Sequence, residues 1–159
     1  MSLRLEPIGR IHTPFSAPEG MPIQPRHSGA AGWVEVFEPY RPGLQDVGGF
    51  EHVWLLFGFH RSGPWHPIVV PFLDTQPRGL FATRAPARPS GIGMSAVKLE
   101  RVLPLDGRLD VSGVDILDGS PLYDIKPYVP AFDAIPKSRS GWMAERDSAP
   151  VSDDRFTRE

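Results

Sequence analysis

Punctuation by proline and glycine constrains this chain more than any other feature. Nineteen prolines and sixteen glycines are spread through 159 residues. Proline removes a backbone donor and clashes with the preceding helical turn, and glycine is a poor helix former. Long helices are therefore excluded, and short strands joined by shaped turns are favoured. The expected fold class is all-β.

The apolar pattern agrees. Leu5, Ile8 and Ile11 recur around Pro7 and Gly9, predicting a first strand over 5–13. A long loop follows over 14–32, with four prolines and the polar cluster Gln24-Pro25-Arg26-His27. Loops of that length in a small domain are usually functional or disordered. A short strand is expected over 33–37. Residues 50–60 carry the near-continuous apolar run Val53-Trp54-Leu55-Leu56-Phe57, then Phe59, and end on His60 and Arg61. Such a run reads as a strand buried on both faces. His60 and Arg61, where it surfaces, suit either a ligand or a solvated strand end.

Ser95, Val97 and Leu99 alternate with Ala96, Lys98 and Glu100, a half-buried strand continuing to Leu103. Asp106-Gly107 predicts a tight type I′ hairpin. Leu109 and Val111 continue the alternation, and at Gly113 the phase flips to Val114 and Ile116, as at a β-bulge. Asp118-Gly119-Ser120-Pro121 is a second turn. Residues 1–135 are expected to form one domain. Residues 136–159 read as a C-terminal tail, partly disordered or packed on that domain, with the last dozen residues disordered.

The length suits one domain with a real core. A net charge of −2 gives no global pull toward nucleic acid, so RNA binding would need a local patch. The absence of cysteine removes disulfides, thiolate nucleophiles and cysteine-based zinc sites. The five histidines lack helical metal-ligand spacing, so no metal is expected. The N-terminus has no apolar signal core, and no run of about 18 apolar residues could span a bilayer. A cytoplasmic protein is expected. Gly91-Ile92-Gly93 leads into a strand rather than a helix, so a dinucleotide-binding reading fails on context.

Residues 79–95 concentrate the punctuation. Leu80, Phe81 and Thr83 suggest a strand, which Pro86, Pro89, Gly91 and Gly93 then break. Arg84 and Arg88 stand on this stiff loop. They suit a solvated turn, or a platform for a carboxylate, phosphate or nucleobase.

Five stretches together resemble the TrmO family, also called TsaA-like or YaeB-like proteins. They are Ile8-Gly9-x-Ile11-x-x-Pro14-Phe15, Gln24-Pro25, the run from Gly49 to His60, the segment Gly79-x-Phe81-Ala82-Thr83-Arg84-x-x-x-Arg88-Pro89, and Asp118 to Tyr128. The match runs in order through about residues 7–130. The resemblance implies a small, mostly antiparallel β-barrel with long shaped loops and little helix, acting as a homodimer. It implies an S-adenosylmethionine-dependent methyltransferase acting on N6 of threonylcarbamoyl-adenosine beside the tRNA anticodon.

It also implies a cofactor site from Gln24, Pro25, Arg26, His27, His60, Arg61, Arg84, Met94, Asp118, Gly119, Ser120, Pro121 and Leu122. Arg84 would pair with the cofactor carboxylate, and Asp118 with its ribose hydroxyls or ammonium. Arg84, Arg88 and Lys126 would meet RNA in the anticodon loop, and Asp118, Asp124 and His60 are the candidate proton acceptors. Ser90-Gly91, Ile23 and Ser120 depart from the family's usual Asn-Pro, Arg and Thr. The changes at Ser90-Gly91 and Ile23 motivate an alternative: a cofactor-binding barrel acting on another RNA or small substrate, or a non-catalytic binding module. Longer members carry a second, C-terminal domain, which a sequence ending at Glu159 is expected to lack.

Overall fold

A computed structural model describes residues 2–144 and 151–157. Six strands close an antiparallel barrel in the order β1-β2-β7-β6-β3-β8. They are β1 (Gly9–His12), β2 (Ala31–Val36), β3 (His52–Gly58), β6 (Ile92–Leu103), β7 (Arg108–Ser112) and β8 (Ser120–Pro127). The connection from β3 to β6 carries a small two-stranded sheet, β4 (Ile68–Val69) with β5 (Arg78–Gly79). Among the described residues helix is confined to short segments, the longest the 3-10 helix Glu38–Leu44, and the one α-helix is α1 (Pro130–Asp133). Among the described residues no helix is long and apolar enough to cross a membrane.

Period-two alternation explains the closure. Ile11, Val34, Val36, Val53, Leu55, Val97, Leu109, Val111 and Leu122 all point inward and are essentially inaccessible. Burial of such side chains contributes about 1.5–3 kcal/mol each. Leu44, on the 3-10 turn Glu38–Leu44, joins this core between β2 and β3. Closing the sheet on itself also leaves no open edge.

Strand β3 differs from expectation. It is buried on one face only: Val53, Leu55 and Phe57 face the core, whereas Trp54 and Leu56 stand half-buried on the outer wall. A closed barrel has one interior, and the outer residues find local cover instead, as Trp54 does against Tyr128 at 5.5 Å between ring centroids. The β6–β7 connection is a four-residue loop, 104–107, in which only Gly107 adopts positive φ. A Cβ there would stand 2.3 Å from the carbonyl oxygen of Val36, so the packing as well as the dihedral calls for glycine.

The predicted strand over Leu80 to Thr83 is a 3-10 turn, Leu80–Ala82, because the Thr83 amide and hydroxyl both donate back to Leu80 O. At Gly113 the amides of Gly113 and Val114 both donate to Ala30 O, and the chain leaves the sheet with Val114 and Ile116 buried.

Candidate functional site

Antiparallel order places three long connections at the same end of the barrel: 13–30 after β1, 59–91 after β3, and 113–119 before β8. Together they frame a cavity of about 360 Å³. That lies within the span of about 300–1,000 Å³ typical of small-molecule sites.

Each connection contributes distinct chemistry. From 13–30 comes Gln24, at the mouth of a 3-10 turn formed by Pro25–His27. From the end of β3 come Phe57 and Phe59, packed edge to face at 5.4 Å, followed by His60 and Arg61 on the exposed rim. Arg61 donates to Ser16 O at 2.7 Å, tying the first two connections together. Arg84 reaches from its loop to Gln24, Nη1 to Oε1, at 2.6 Å. Arg88 lines the same space but donates to Thr83 O and Ala85 O at 3.0 and 3.2 Å, so its guanidinium also braces the loop. Strand β6 contributes Ile92, exposed Met94 and buried Ser95.

The floor holds a carboxylate that sequence reasoning passed over. Asp115 lies between buried Val114 and Ile116 and accepts a hydrogen bond from Ser95 Oγ at 2.6 Å. Desolvation by the surrounding protein pushes its carboxyl from the ordinary 3.8 up to about 6. The Ser95 hydroxyl, its own backbone amide and the charge on Arg84 pull the other way without cancelling the effect. The signal in the sequence was one acid inside a phase-flipped apolar segment. Its significance depends on β6 lying across the corner.

Residues 151–157 form another wall. Pro22 pairs with Val151 and Ser62 with Thr157 in isolated antiparallel bridges, and Gly63 N donates to Phe156 O at 3.1 Å. Ser152, Asp153, Phe156 and Thr157 line the cavity. Composition reads the last dozen residues as disordered, within a tail that is partly disordered or packed on the domain. Residues 151–157 are packed, by main-chain pairing, which composition does not encode, and by Phe156 against Phe72.

The expected site residues thus separate into two groups. Gln24, His60, Arg61, Arg84, Arg88, Met94 and Ser120 line one cavity. Ser120 Oγ donates to Leu117 O at 2.6 Å and lies 3.4 Å from His60 Nδ1. Pro25, Arg26 and His27 form the adjoining turn, and Gly119 and Pro121 flank Ser120 without lining the cavity. Leu122 is a core side chain.

Asp118 is exposed and accepts the Thr13 amide at 2.9 Å, fastening the end of β1. Asp124 and Lys126 pair with each other at 2.9 Å and alternate along β8 opposite Leu56 and Trp54, on the outer wall. Among the described residues no three His, Asp or Glu side chains group as a metal site.

Comparison with known proteins matches this architecture. The family model for the tRNA-methyltransferase O N-terminal domain covers residues 10–134. A Pyrococcus abyssi relative, named "Probable S-adenosyl-L-methionine-binding protein", is 46% identical over 138 residues, covering 86% of this chain and 74% of its own. The mouse tRNA (adenine(37)-N6)-methyltransferase is 38% identical over 141 residues, covering 84% of this chain and 32% of its own length. A crystal structure of TrmO from P. aeruginosa superposes with a TM-score of 0.73 at 41% identity, covering 89% of this chain and 62% of that one. With the matched domain running through all six barrel strands but the first residue of β1, the chain belongs to the tRNA-methyltransferase O family.

Proposed function

We propose that this protein is an S-adenosylmethionine-dependent methyltransferase that modifies N6 of threonylcarbamoyl-adenosine beside the anticodon of tRNA. One observation carries the reading. Gln24, His60, Arg61, Arg84, Met94 and Ser120 are far apart in sequence, yet they converge on one cavity at one end of the barrel.

The donor set fits the cofactor. Aromatic faces from Phe57 and Phe59 and the Met94 thioether offer an apolar seat for an adenine. Arg84 offers a guanidinium fork for a carboxylate, pre-aimed by Gln24. When bound, the cofactor supplies an electrophilic methyl group on a sulfonium. The chain's contribution begins with positioning the acceptor against that methyl group. The target base must leave its stack to reach the cavity, read on its edges as single-stranded RNA is.

Arg26, Arg61, Arg84 and Arg88 form a cationic rim for the anticodon-loop backbone, which makes binding salt-sensitive despite the net charge of −2. Lys126 stands apart from that rim, on the outer wall in an ion pair with Asp124 at 2.9 Å. A homodimer belongs to this reading. Trp54 and Leu56 place apolar surface on the outer wall of β3, where a second copy would cover it and pool two rims. The cytoplasm, where tRNA is abundant, is the expected location.

The test is incubation with S-adenosylmethionine and tRNA with or without the threonylcarbamoyl group, followed by mass analysis of the nucleosides. Methyl transfer confined to the modified tRNA is expected. Cofactor binding with no transfer to either tRNA would overturn the reading in favour of a binding module.

A further inference from the structure

We infer that Asp115 is the proton acceptor for methyl transfer, with Ser95 as its positioning residue. The inference rests on the methyltransferase reading above and deepens it. In the step it serves, N6 forms a bond to the methyl carbon as the carbon–sulfur bond breaks. The electron pair of that bond goes to sulfur, giving a neutral thioether. The N6 proton passes to a carboxylate oxygen of Asp115. Charge balances, since a sulfonium and a carboxylate become a thioether and a carboxylic acid.

The cavity itself selects Asp115. Its titratable lining groups are His60 and Arg61 from the end of β3, Arg84 and Arg88 from the 59–91 connection, Asp115, and Asp153 from the C-terminal segment. The arginines hold their protons at any working pH. Asp153 is already gripped by Arg155, Nε to Oδ1 at 2.8 Å and Nη2 to Oδ2 at 2.5 Å, and that contact holds its carboxyl below the usual range. A carboxylate so committed is a weak base. His60 stands exposed on the rim with Nδ1 facing Ser120 Oγ.

Asp115 is different on both counts. It lines the cavity half-buried rather than exposed, and the hydrogen bond from the buried Ser95 hydroxyl fixes its orientation without neutralising it. Its pKa of about 6 leaves it ionised at neutral pH yet basic enough to take a proton. Asp118 and Asp124, the acids that the sequence motifs put forward, do not line the cavity.

The experiment compares wild type, D115N and S95A, using S-adenosylmethionine and threonylcarbamoylated tRNA. For wild type, kcat/KM is expected to fall on the acid side with a midpoint near 6, the value in the free enzyme. D115N should lower kcat by about a hundredfold or more while leaving calorimetric affinity for S-adenosylmethionine within about twofold. S95A removes a hydrogen bond that favours the ionised carboxyl, so the acid limb should move to higher pH. Carbon-13 titration of the Asp115 carboxyl in the cofactor-free protein should show the same upward move in S95A.

Retained kcat in D115N would overturn the assignment, as would a parallel loss of cofactor affinity that makes Asp115 a binding group. An unmoved limb and an unmoved titration in S95A would remove Ser95 from its role. Wild type inactive on this tRNA would instead sink the methyltransferase reading, and the assignment with it.

Discussion

Replacing Asp115 with asparagine should make the folded chain more stable at pH 8 and give no gain near pH 4. The sign follows from linkage. In the unfolded chain the carboxyl titrates at its ordinary 3.8, and in the barrel mouth at about 6. Below 3.8 both states hold the proton and the group costs nothing. As pH rises through the interval, the unfolded chain releases its proton more readily, so folding loses stability until both states are ionised. That interval is about two pH units at about 1.4 kcal/mol each, or about 3 kcal/mol at most.

Asparagine is neutral throughout, and its amide oxygen still accepts from Ser95 Oγ. The rise to about 6 already includes the attraction of Arg84, and asparagine brings an amide N–H₂ that needs a partner at every pH, so about 1–2 kcal/mol should survive at pH 8. For a chain of this length that is about 2–8 °C in Tm. Differential scanning calorimetry of both proteins at pH 4, 6 and 8, at fixed ionic strength, measures it. A gain independent of pH would show that repacking rather than charge is responsible. A lower Tm for D115N at pH 8 would refute the claim that the carboxylate is held there against its solvation.

Two further outcomes test the cavity. Arg84→Ala should weaken S-adenosylmethionine binding at least tenfold, about 1.4 kcal/mol, because it removes a charged partner and frees Gln24; calorimetric Kd reads it directly. Gly93→Ala should lower Tm by overpacking at about 1–3 kcal/mol and weaken cofactor binding too, since a Cβ there would stand 2.5 Å from Phe57 Cζ and 2.9 Å from Phe59 Cζ, both rings of the cavity wall. Gly43→Ala, where a Cβ meets open space, is the control and should leave both measurements unchanged.

Much of the fold was legible because local rules and global closure agree. The alternation through Ser95, Val97 and Leu99, the apolar run of β3 and the density of proline all lead to antiparallel strands without long helices. The apolar run itself misled only on sidedness. Continuous hydrophobicity reads the same whether the outer face meets a second layer or merely a neighbouring aromatic, as Trp54 meets Tyr128. At the site, motif residues such as Gln24, His60 and Arg84 were visible because they sit on stiff, polar corners. Asp115 was not, since between Val114 and Ile116 an acid reads as the solvent side of a strand. Only the placement of Ser95 opposite turns that side inward. Residues 151–157 were hidden for another reason: their attachment uses carbonyls and amides, among them Gly20 N to Ser152 O at 2.9 Å, which every sequence possesses.

Buried Asp74 and half-buried Asp115 show why one aspartate is structural and the other suited to chemistry. Asp74 has no exposed side-chain surface, yet every demand it makes is met. Arg78 donates to Oδ2 from Nε at 2.8 Å and from Nη2 at 2.6 Å, and the Thr75 amide donates to Oδ1 at 2.8 Å. Removing either partner would strand a buried charge, so the pair fixes the turn that joins β4 to β5. Asp115 has only a hydroxyl, its own amide and a more distant guanidinium, and these leave its proton affinity raised. A fold selected for stability alone would fill that position with an apolar or neutral side chain. Keeping an under-compensated carboxylate at the floor of a cavity, within the field of Arg84, makes sense where the group must exchange a proton with something that enters.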